Sequence, residues 1–244
     1  MKNPKISVCM ATYNGEKYIK EQIESILKNL NAEDEVIIVD DKSKDKTVSI
    51  IESYNDRRIV LIKNEKNLGV NKSFEIGINS CKNEYIFLAD QDDIWIDGRV
   101  NKMIESLMKN QKSIVAGNQE FIDSFGKKIN YSILDLDMND SEKKMKNIYR
   151  IFIGNAYYTG CAMAFKKDIK SKILPFPNYI ESHDLWIAKI GILENTIFHL
   201  QDKVLKRRIH SSNVSIGNRS LTKKIKSRII FLISAIEILL KRIK

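Results

Sequence analysis

Three carboxylates crowd the four positions Asp90, Gln91, Asp92 and Asp93, with no basic residue among them. They follow Tyr85–Ala89 (YIFLA), an apolar run that predicts a strand buried on both faces. Like charges packed at a strand end raise one another's pKa, and a cation relieves the repulsion. Hard oxygen ligands suit Mg²⁺ or Mn²⁺, and a metal held there could neutralise a diphosphate leaving group. The competing reading is a solvated turn that caps the next helix. The phosphate-cradling patterns GxGxxG and GxxxxGK[ST] are absent, so a Gly-rich turn does not take that role.

The elements that must position this cluster alternate along the chain. Ile6–Ala11 (ISVCMA) reads as a buried strand closing on Thr12, Tyr13, Asn14 and Gly15. A helix follows over Glu16–Leu30, with Tyr18, Ile19, Ile23, Ile26, Leu27 and Leu30 at helical spacing. Val36–Val39 is a second strand ending in Asp40 and Asp41, and Asp45 is placed to cap a helix carrying Val48, Ile51 and Tyr54. Ile59–Ile62 makes a third strand, and Asn67, Leu68 and Gly69 open a helix through Ile78. This alternation predicts a doubly wound, mostly parallel sheet whose ligands bind beyond the carboxyl ends of the strands. Thr12, Asp40, Asp41 and the Asp90–Asp93 cluster all fall at such ends, so one crevice collects them.

The second half reads differently. Ile114–Gly117 is a short strand, and Glu120–Lys128 reads as a hairpin turning at Ser124–Gly126. Asn139–Arg150 is a polar, partly helical connection. Tyr157–Phe165 reads as a strand in which Gly160 marks a bulge or a close backbone approach. Glu181–Leu193 begins acidic and becomes apolar, as a helix N-terminus does. Thr196–Ile209 gives one or two more strands, ending in His210.

A chain of 244 residues with 43% hydrophobic content fits one α/β domain with an ample core. The net charge of +10 calls for an acidic partner: nucleic acid, an anionic membrane or a phosphate-bearing substrate. Cys9, Cys81 and Cys161 lack zinc-type spacing; Cys9 and Cys161 sit in apolar runs and read as core residues in a reducing compartment. The N-terminal apolar stretch is too short for a signal peptide, so a cytoplasmic location is expected. Much of the excess charge lies in the last segment, where Lys223, Lys224, Lys226, Arg228, Lys241, Arg242 and Lys244 face only Glu237. Its apolar run, Ile229–Leu240, is shorter than the roughly 20 residues that a membrane crossing needs. Such a helix lies in the plane of an anionic membrane, packs on the core or joins a dimer interface. The expected division is a domain over 1–217, with halves 1–112 and 113–217, and a basic amphipathic helix over 218–244.

The stretches TYNGEKYI, VDDKSKDKT, NLG and FLADQDDIW, in that order, resemble glycosyltransferase family 2, whose members are inverting enzymes with the α/β GT-A fold. TGCAMAF, SHDLWIAKIG and RRIHSSNVS extend the resemblance from about Ile6 to Ser215. The nearest subgroup is the bacterial rhamnosyltransferase-like set of surface polysaccharide synthesis. The resemblance implies sugar transfer from a UDP- or dTDP-sugar, with Mn²⁺ or Mg²⁺, to a lipid-linked or polysaccharide acceptor at the inner face of the plasma membrane.

Carried over position by position, Thr12 and Tyr13 would line the base and ribose pocket, with Asn14, Asn67, Gly69 and Gln91 in the same donor site. Asp41 or Asp40 would accept from a nucleobase N–H, unless the pair serves only as a cap and turn. Asp90 and Asp92 would hold the metal or ribose, and His210 the metal and diphosphate. Arg207 or Arg208 would pair with phosphate. Trp95 would line the sugar pocket or sit in the core. Asp184 would be the catalytic base, with Tyr158, Gly160, His183 and Trp186 toward the acceptor. One departure is that Ser73 and Phe74 stand where many relatives carry an Ala-Arg pair, which leaves Lys72 as a substitute cation. Two rivals remain on the residues alone. A sugar nucleotidyltransferase also uses clustered carboxylates and releases pyrophosphate. A nucleic-acid-binding protein would explain the charge, but no binding module appears and no nucleic-acid partner is expected.

Overall fold

Branched and aromatic residues dominate the predicted strands of the first half, and each strand forms. In the computed structural model, which describes residues 4–131, 133–155, 158–210 and 220–241, four strands pair in parallel. They are β1 (Ile6–Thr12), β2 (Glu35–Asp40), β3 (Ile59–Lys63) and β4 (Tyr85–Ala89), in the order β3-β2-β1-β4. β4 is buried at every position, as a strand covered by helices on both faces must be. Alternate residues serve the two faces. Val8, Met10, Val36, Ile38 and Phe87 pack with α1 (Ile19–Lys28), α2 (Thr47–Glu52) and α4 (Arg99–Lys109). Cys9, Ile37, Val39, Ile86 and Leu88 pack beneath α3 (Val70–Ser80).

The second half extends the same sheet. The two-residue β5 (Ile94–Trp95), β6 (Ile114–Ile122), β7 (Met163–Lys166) and β8 (Ile197–Arg208) complete eight strands in the order β3-β2-β1-β4-β7-β6-β8-β5. Only β7 and β5 run against the others, so the sheet is mixed but mostly parallel. Expectation and structure differ at three places here. The strand expected over Ile114–Gly117 continues to Ile122, because the polar Asn118 is itself buried. Its Oδ1 accepts from Leu136 N (2.7 Å) and its Nδ2 donates to Leu136 O (3.0 Å). The hairpin expected over Glu120–Lys128 turns at 124–126 as expected, with Asp123 N donating to Lys127 O (2.9 Å) and Ile129 N to Phe121 O (2.9 Å). Its return arm carries one bridge, Ile122 to Lys128, and no strand of its own among the described residues. The strand expected over Tyr157–Phe165 starts only at Met163, since Gly160–Ala162 forms a 3₁₀ turn. Tyr157, Ser211–Ser215 of the last motif, and Arg242 and Lys244 of the tail lie outside the described residues.

On the second face lie α5 (Lys144–Ile153), the short α6 (Lys170–Ile173), α7 (His183–Leu193) and α8 (Leu221–Lys241). Nine of the 11 residues of α7 are buried, the signature of a helix enclosed on all sides. The C-terminal helix α8 seats Phe231, Ser234 and Ile238 inward, and Phe231 meets Phe152 of α5 edge-on, with ring centroids 5.5 Å apart. At this seam Lys189 of α7 is only 5% exposed, donates to Ser234 Oγ and lies 5.4 Å from the Phe231 ring centre.

Burial pushes the Lys189 pKa down to about 8. Folding at a pH below that value must therefore bury a charge, and the cost fades as pH rises toward the ordinary lysine value. Replacing Lys189 by Met is expected to raise the unfolding free energy at pH 7 by about 1–3 kcal/mol. The gain should shrink by pH 10, read from urea titrations at both pH values. An equal gain at the two would refute this account.

Candidate active site

β1 and β2 stop side by side at polar residues, and the two loops that follow bind each other. Asn14 N donates to Ser43 Oγ (2.9 Å), Gly15 N to Thr47 Oγ1 (2.7 Å) and Glu16 N to Asp45 Oδ2 (3.0 Å). Asn14 Oδ1 accepts from Lys44 N (2.8 Å). Asp40, buried, accepts from Thr12 Oγ1 (3.2 Å), Ser43 Oγ (2.5 Å) and Ser43 N (2.9 Å). Asp41, also buried, takes Leu68 N (2.7 Å) and Asn64 Nδ2 (2.9 Å) on Oδ1, and Gly69 N (2.8 Å) on Oδ2. Gly69 sits at φ +84°, where a side chain would be strained.

Gln91 ties this pair of loops to the acidic cluster. Its Oε1 accepts from Tyr13 N (2.8 Å) and its Nε2 donates to Tyr13 O (3.1 Å). The approach is so close that a Cβ on Gly15 would stand 2.3 Å from Gln91 Oε1. The Tyr13 ring is left 43% exposed at the rim.

β4 ends at Asp90, whose pKa is pushed up to about 6, first by loss of water and then by the charge of Asp92. Asp184 adds to that rise and Arg207 opposes it. Asp93 is buried; Oδ1 accepts from Arg208 N (3.0 Å), while Oδ2 has no hydrogen-bond partner among the described residues. Burial, then Asp92 and Asp90, push its pKa up to about 8. Asp92 Oδ2 lies 2.8 Å from His210 Nε2. The Cys161 thiol lies against Asp90 and Asp93, the three ligand atoms falling within 4.8 Å of one another. Burial drives that thiol's pKa up.

Three arginines surround the cluster and differ in what they do. Arg208 is fully committed to structure: Nε donates to Asp92 O (3.0 Å), Nη1 to Asp123 O (3.3 Å) and Nη2 to Glu21 (2.5 Å), and its guanidinium lies 4.6 Å from the Tyr18 ring centre. Arg99 is fully buried below the site, donates to Cys161 O (2.5 Å) and stacks on Trp95 at 4.1 Å. Its pKa is lowered to about 10 by burial, against the pull of Cys161, Asp93 and Asp90. Arg207 is half-buried; burial works against its charge, but Cys161, Asp93, Asp90 and Asp184 outweigh it and raise its pKa. It is thus the cation shared by the strand-end carboxylates and the first turn of α7.

That first turn carries Asp184, half-buried, with the acidic residue where a helix N-terminus favours it. The preceding His183 is locked in place. Its backbone N donates to Asn71 Oδ1 (3.0 Å) and its ring stacks on Phe74 with centroids 4.0 Å apart. A Cβ on Gly160 would come within 2.6 Å of His183 Nε2, so the 160–162 turn packs directly on the ring. Neither ring nitrogen has a partner among the described residues, and burial lowers the ring's pKa.

The glycosyl transferase family 2 model matches residues 7–174, from β1 to just past α6. The chain belongs to glycosyl transferase family 2. It is 34% identical over 198 residues to an uncharacterized glycosyltransferase of Methanocaldococcus jannaschii, covering 78% of this chain and 66% of the relative. It is 33% identical over 119 residues to the Escherichia coli UDP-Glc:alpha-D-GlcNAc-diphosphoundecaprenol beta-1,3-glucosyltransferase WfgD, covering 49% of this chain and 47% of that one. S. aureus TarS in complex with UDP-GlcNAc shares the fold, with a TM-score of 0.74 over 94% of this chain and 66% of that chain, at 21% identity. The chain spans 66% of the length of the first curated relatives it matches.

In this family 2 chain the residues expected at the donor site gather at one end of the sheet. Thr12, Tyr13, Asn14, Asp40, Asp41 and Gln91 form the stitched loops, with Asn67 joined to them through Asp41 O (3.3 Å). Asp90, Asp92 and His210 adjoin, and the charge of Asp184 is felt at Asp90. Carboxylate oxygens and one imidazole nitrogen make a donor set that fits Mn²⁺ or Mg²⁺.

The acceptor residues need correction. Trp186 is 1% exposed and donates Nε1–H to Ile173 O (2.9 Å), so it belongs to the buried side of α7. Tyr158 is buried with its hydroxyl 2.8 Å from His199 Nε2, Gly160 is buried against His183, and His183 is itself interior. Trp95 is a core residue under Arg99. Lys72 pairs with Glu75. Arg99 went unnoticed in the sequence because a guanidinium in the first turn of a polar helix has the pattern of a surface residue.

Gly160→Ala is expected to cost about 1–3 kcal/mol of stability, through overpacking against the stacked His183 ring. Because His183 is joined to Asp184, catalysis should fall with it. A variant with an unchanged urea midpoint would show that the turn can move aside.

Proposed function

We propose that this chain is an inverting, metal-dependent glycosyltransferase that moves a sugar from a UDP- or dTDP-sugar to a lipid-linked glycan in bacterial cell-surface polysaccharide assembly. What supports the reading is that Asp184 at the start of α7 and the carboxylates after β4 feel one another's charge, and that both raise the pKa of Arg207. Two further facts support it. WfgD is named for a UDP-Glc donor and a diphosphoundecaprenol acceptor, and TarS was solved with UDP and with UDP-GlcNAc.

The division of labour follows from the contacts. The exposed Tyr13 ring offers a face for the base. Asp40 and Asp41 each keep acceptor capacity on Oδ2, which has one donor in each case, so the nucleobase contact is assigned to one of these two oxygens. Asp90, Asp92 and His210 would hold the metal, which supplies positive charge to the departing diphosphate. Arg207 adds a second positive charge on the same side; Arg208 is occupied in holding the loops. Asp184 takes the proton of the acceptor hydroxyl as the bond from the anomeric carbon to the diphosphate breaks. Inversion requires such a base on the face opposite the leaving group.

In this reading residues 1–112 bind the donor and 113–217 the acceptor. Transfer occurs in the cytoplasm at the inner face of the plasma membrane. Asp184→Asn is expected to lower the transfer rate by about 10²–10⁴-fold. The variant should still show the thermal shift given by UDP with Mn²⁺, about 2.7 kcal/mol at a hundredfold excess over Kd. Near-full transfer by a folded Asp184→Asn protein would falsify the assignment of the base. Pyrophosphate release from a nucleoside triphosphate and a sugar phosphate would overturn the reaction class.

A further inference from the structure

α8 has two apolar faces, and only one is used by the fold. Phe231, Ser234 and Ile238 face the core, and polar contacts fix the helix there: Lys189 with Ser234, the Tyr179 hydroxyl with Glu237, and Ser227 Oγ with Glu181 (2.7 Å). The opposite face presents Ile225, Ile229, Leu232, Ile236 and Leu239 at spacings of four, three, four and three, an unbroken ridge. Ile229 and Ile236 are 53% and 58% exposed. Exposed apolar residues normally occur singly, and a run of this length marks a contact surface. The neighbouring α5 repeats the pattern with Met145, Tyr149 and Ile153, which are 78%, 62% and 39% exposed.

Charge decides what covers this face. The described length of α8 carries five basic residues and one carboxylate, Glu237, and that carboxylate is turned inward onto Tyr179. Lys223, Lys224, Lys226 and Arg228 cluster at one end and Lys241 stands at the other. A second copy of this helix would bring the same cations and no outward carboxylate to meet them. An anionic lipid surface satisfies both features: acyl chains take the ridge, and lysine stems run along it with their ammonium groups among the headgroups. No helix among the described residues is long and apolar enough to cross a membrane, so α8 would lie in its plane.

The geometry points to α8, with the exposed face of α5 beside it, as a preformed docking surface for an anionic lipid bilayer. This deepens the proposed function, which places the acceptor in a membrane, and rests on it only for its purpose. The docking helix packs on α7, so the bilayer contact and Asp184 belong to one packed unit.

The test is sedimentation of the full chain with phosphatidylcholine vesicles, with and without phosphatidylglycerol. Ile229→Ser combined with Ile236→Ser is compared with the parent, and thermal midpoints and UDP-dependent shifts are taken on the same samples. The expected result is binding that requires phosphatidylglycerol, weakens with salt and falls by more than about tenfold in the double variant, whose folding and UDP response are unchanged. Absence of parent binding to either vesicle, equal binding without phosphatidylglycerol, or full binding by the double variant overturns the proposal. So does concentration-dependent dimerisation that the double variant abolishes while vesicles are ignored. Loss of the UDP response with vesicle binding intact would count against the transferase reading and leave this one standing.

Discussion

The structure depends on keeping three carboxylates together at the end of a buried strand. Asp93 is covered completely and Asp90 partly, and both resist ionisation for want of water. Left alone, such a cluster would protonate or push the strand end into solvent. Arg99 from α4 and Arg207 from β8 answer it with guanidinium groups, and the Arg208 backbone N–H donates to Asp93. β8 must therefore run its full length beside β6 to deliver two of these contacts. The bulges at Asn118 belong to the same requirement, since they adjust the register over the last part of that pairing.

This balance also separates residues that look alike in the chain. Arg207 and Arg208 are neighbours on a strand and so point to opposite faces. One guanidinium is spent on two carbonyls, a glutamate and an aromatic ring, and the other is held toward the crevice by negative charge. Asp40 and Asp41 likewise look like ligand contacts in the sequence. In the fold most of their acceptor capacity goes to Ser43, Thr12, Asn64, Leu68 and Gly69. The carboxylates that the proposed function assigns to the nucleobase are thus the ones that fix the loops.

The first half was legible because its signals are periodic. Buried runs such as Tyr85–Ala89 and the helical spacing of Ile19, Ile23 and Ile26 state their own positions, and the strand ends follow. The acidic cluster was legible from residue type, whereas Asp184 was singled out only by the family resemblance. What could not be read was burial of polar groups. Asn118 lies just past the expected strand end, yet it is held inside by the backbone of Leu136, Leu200 and Gln201. His183 and Trp186 read as contact residues beside an acid, yet the helix bearing them is enclosed on every side. No local pattern separates a polar side chain facing a ligand from one facing the core, because the deciding neighbours, Phe74, Gly160 and Ile173, lie far along the chain. The C-terminal helix was foreseen as amphipathic, but one apolar face could not be told from two.

The Gln91 amide makes the same two hydrogen bonds to Tyr13 that a neighbouring strand residue would make. A side chain thus continues the sheet for one step past the point where β1 and β4 part. The rim that would carry an aromatic base and the carboxylates that would face phosphate are joined by this rung, so they hold a set separation before anything enters. A ligand that matches that separation has little loop ordering left to do, and one that does not match meets a frame with little slack. Under the proposed function, discrimination by length between a diphosphate and a shorter or longer bridge would rest on a backbone-like contact made by a side chain.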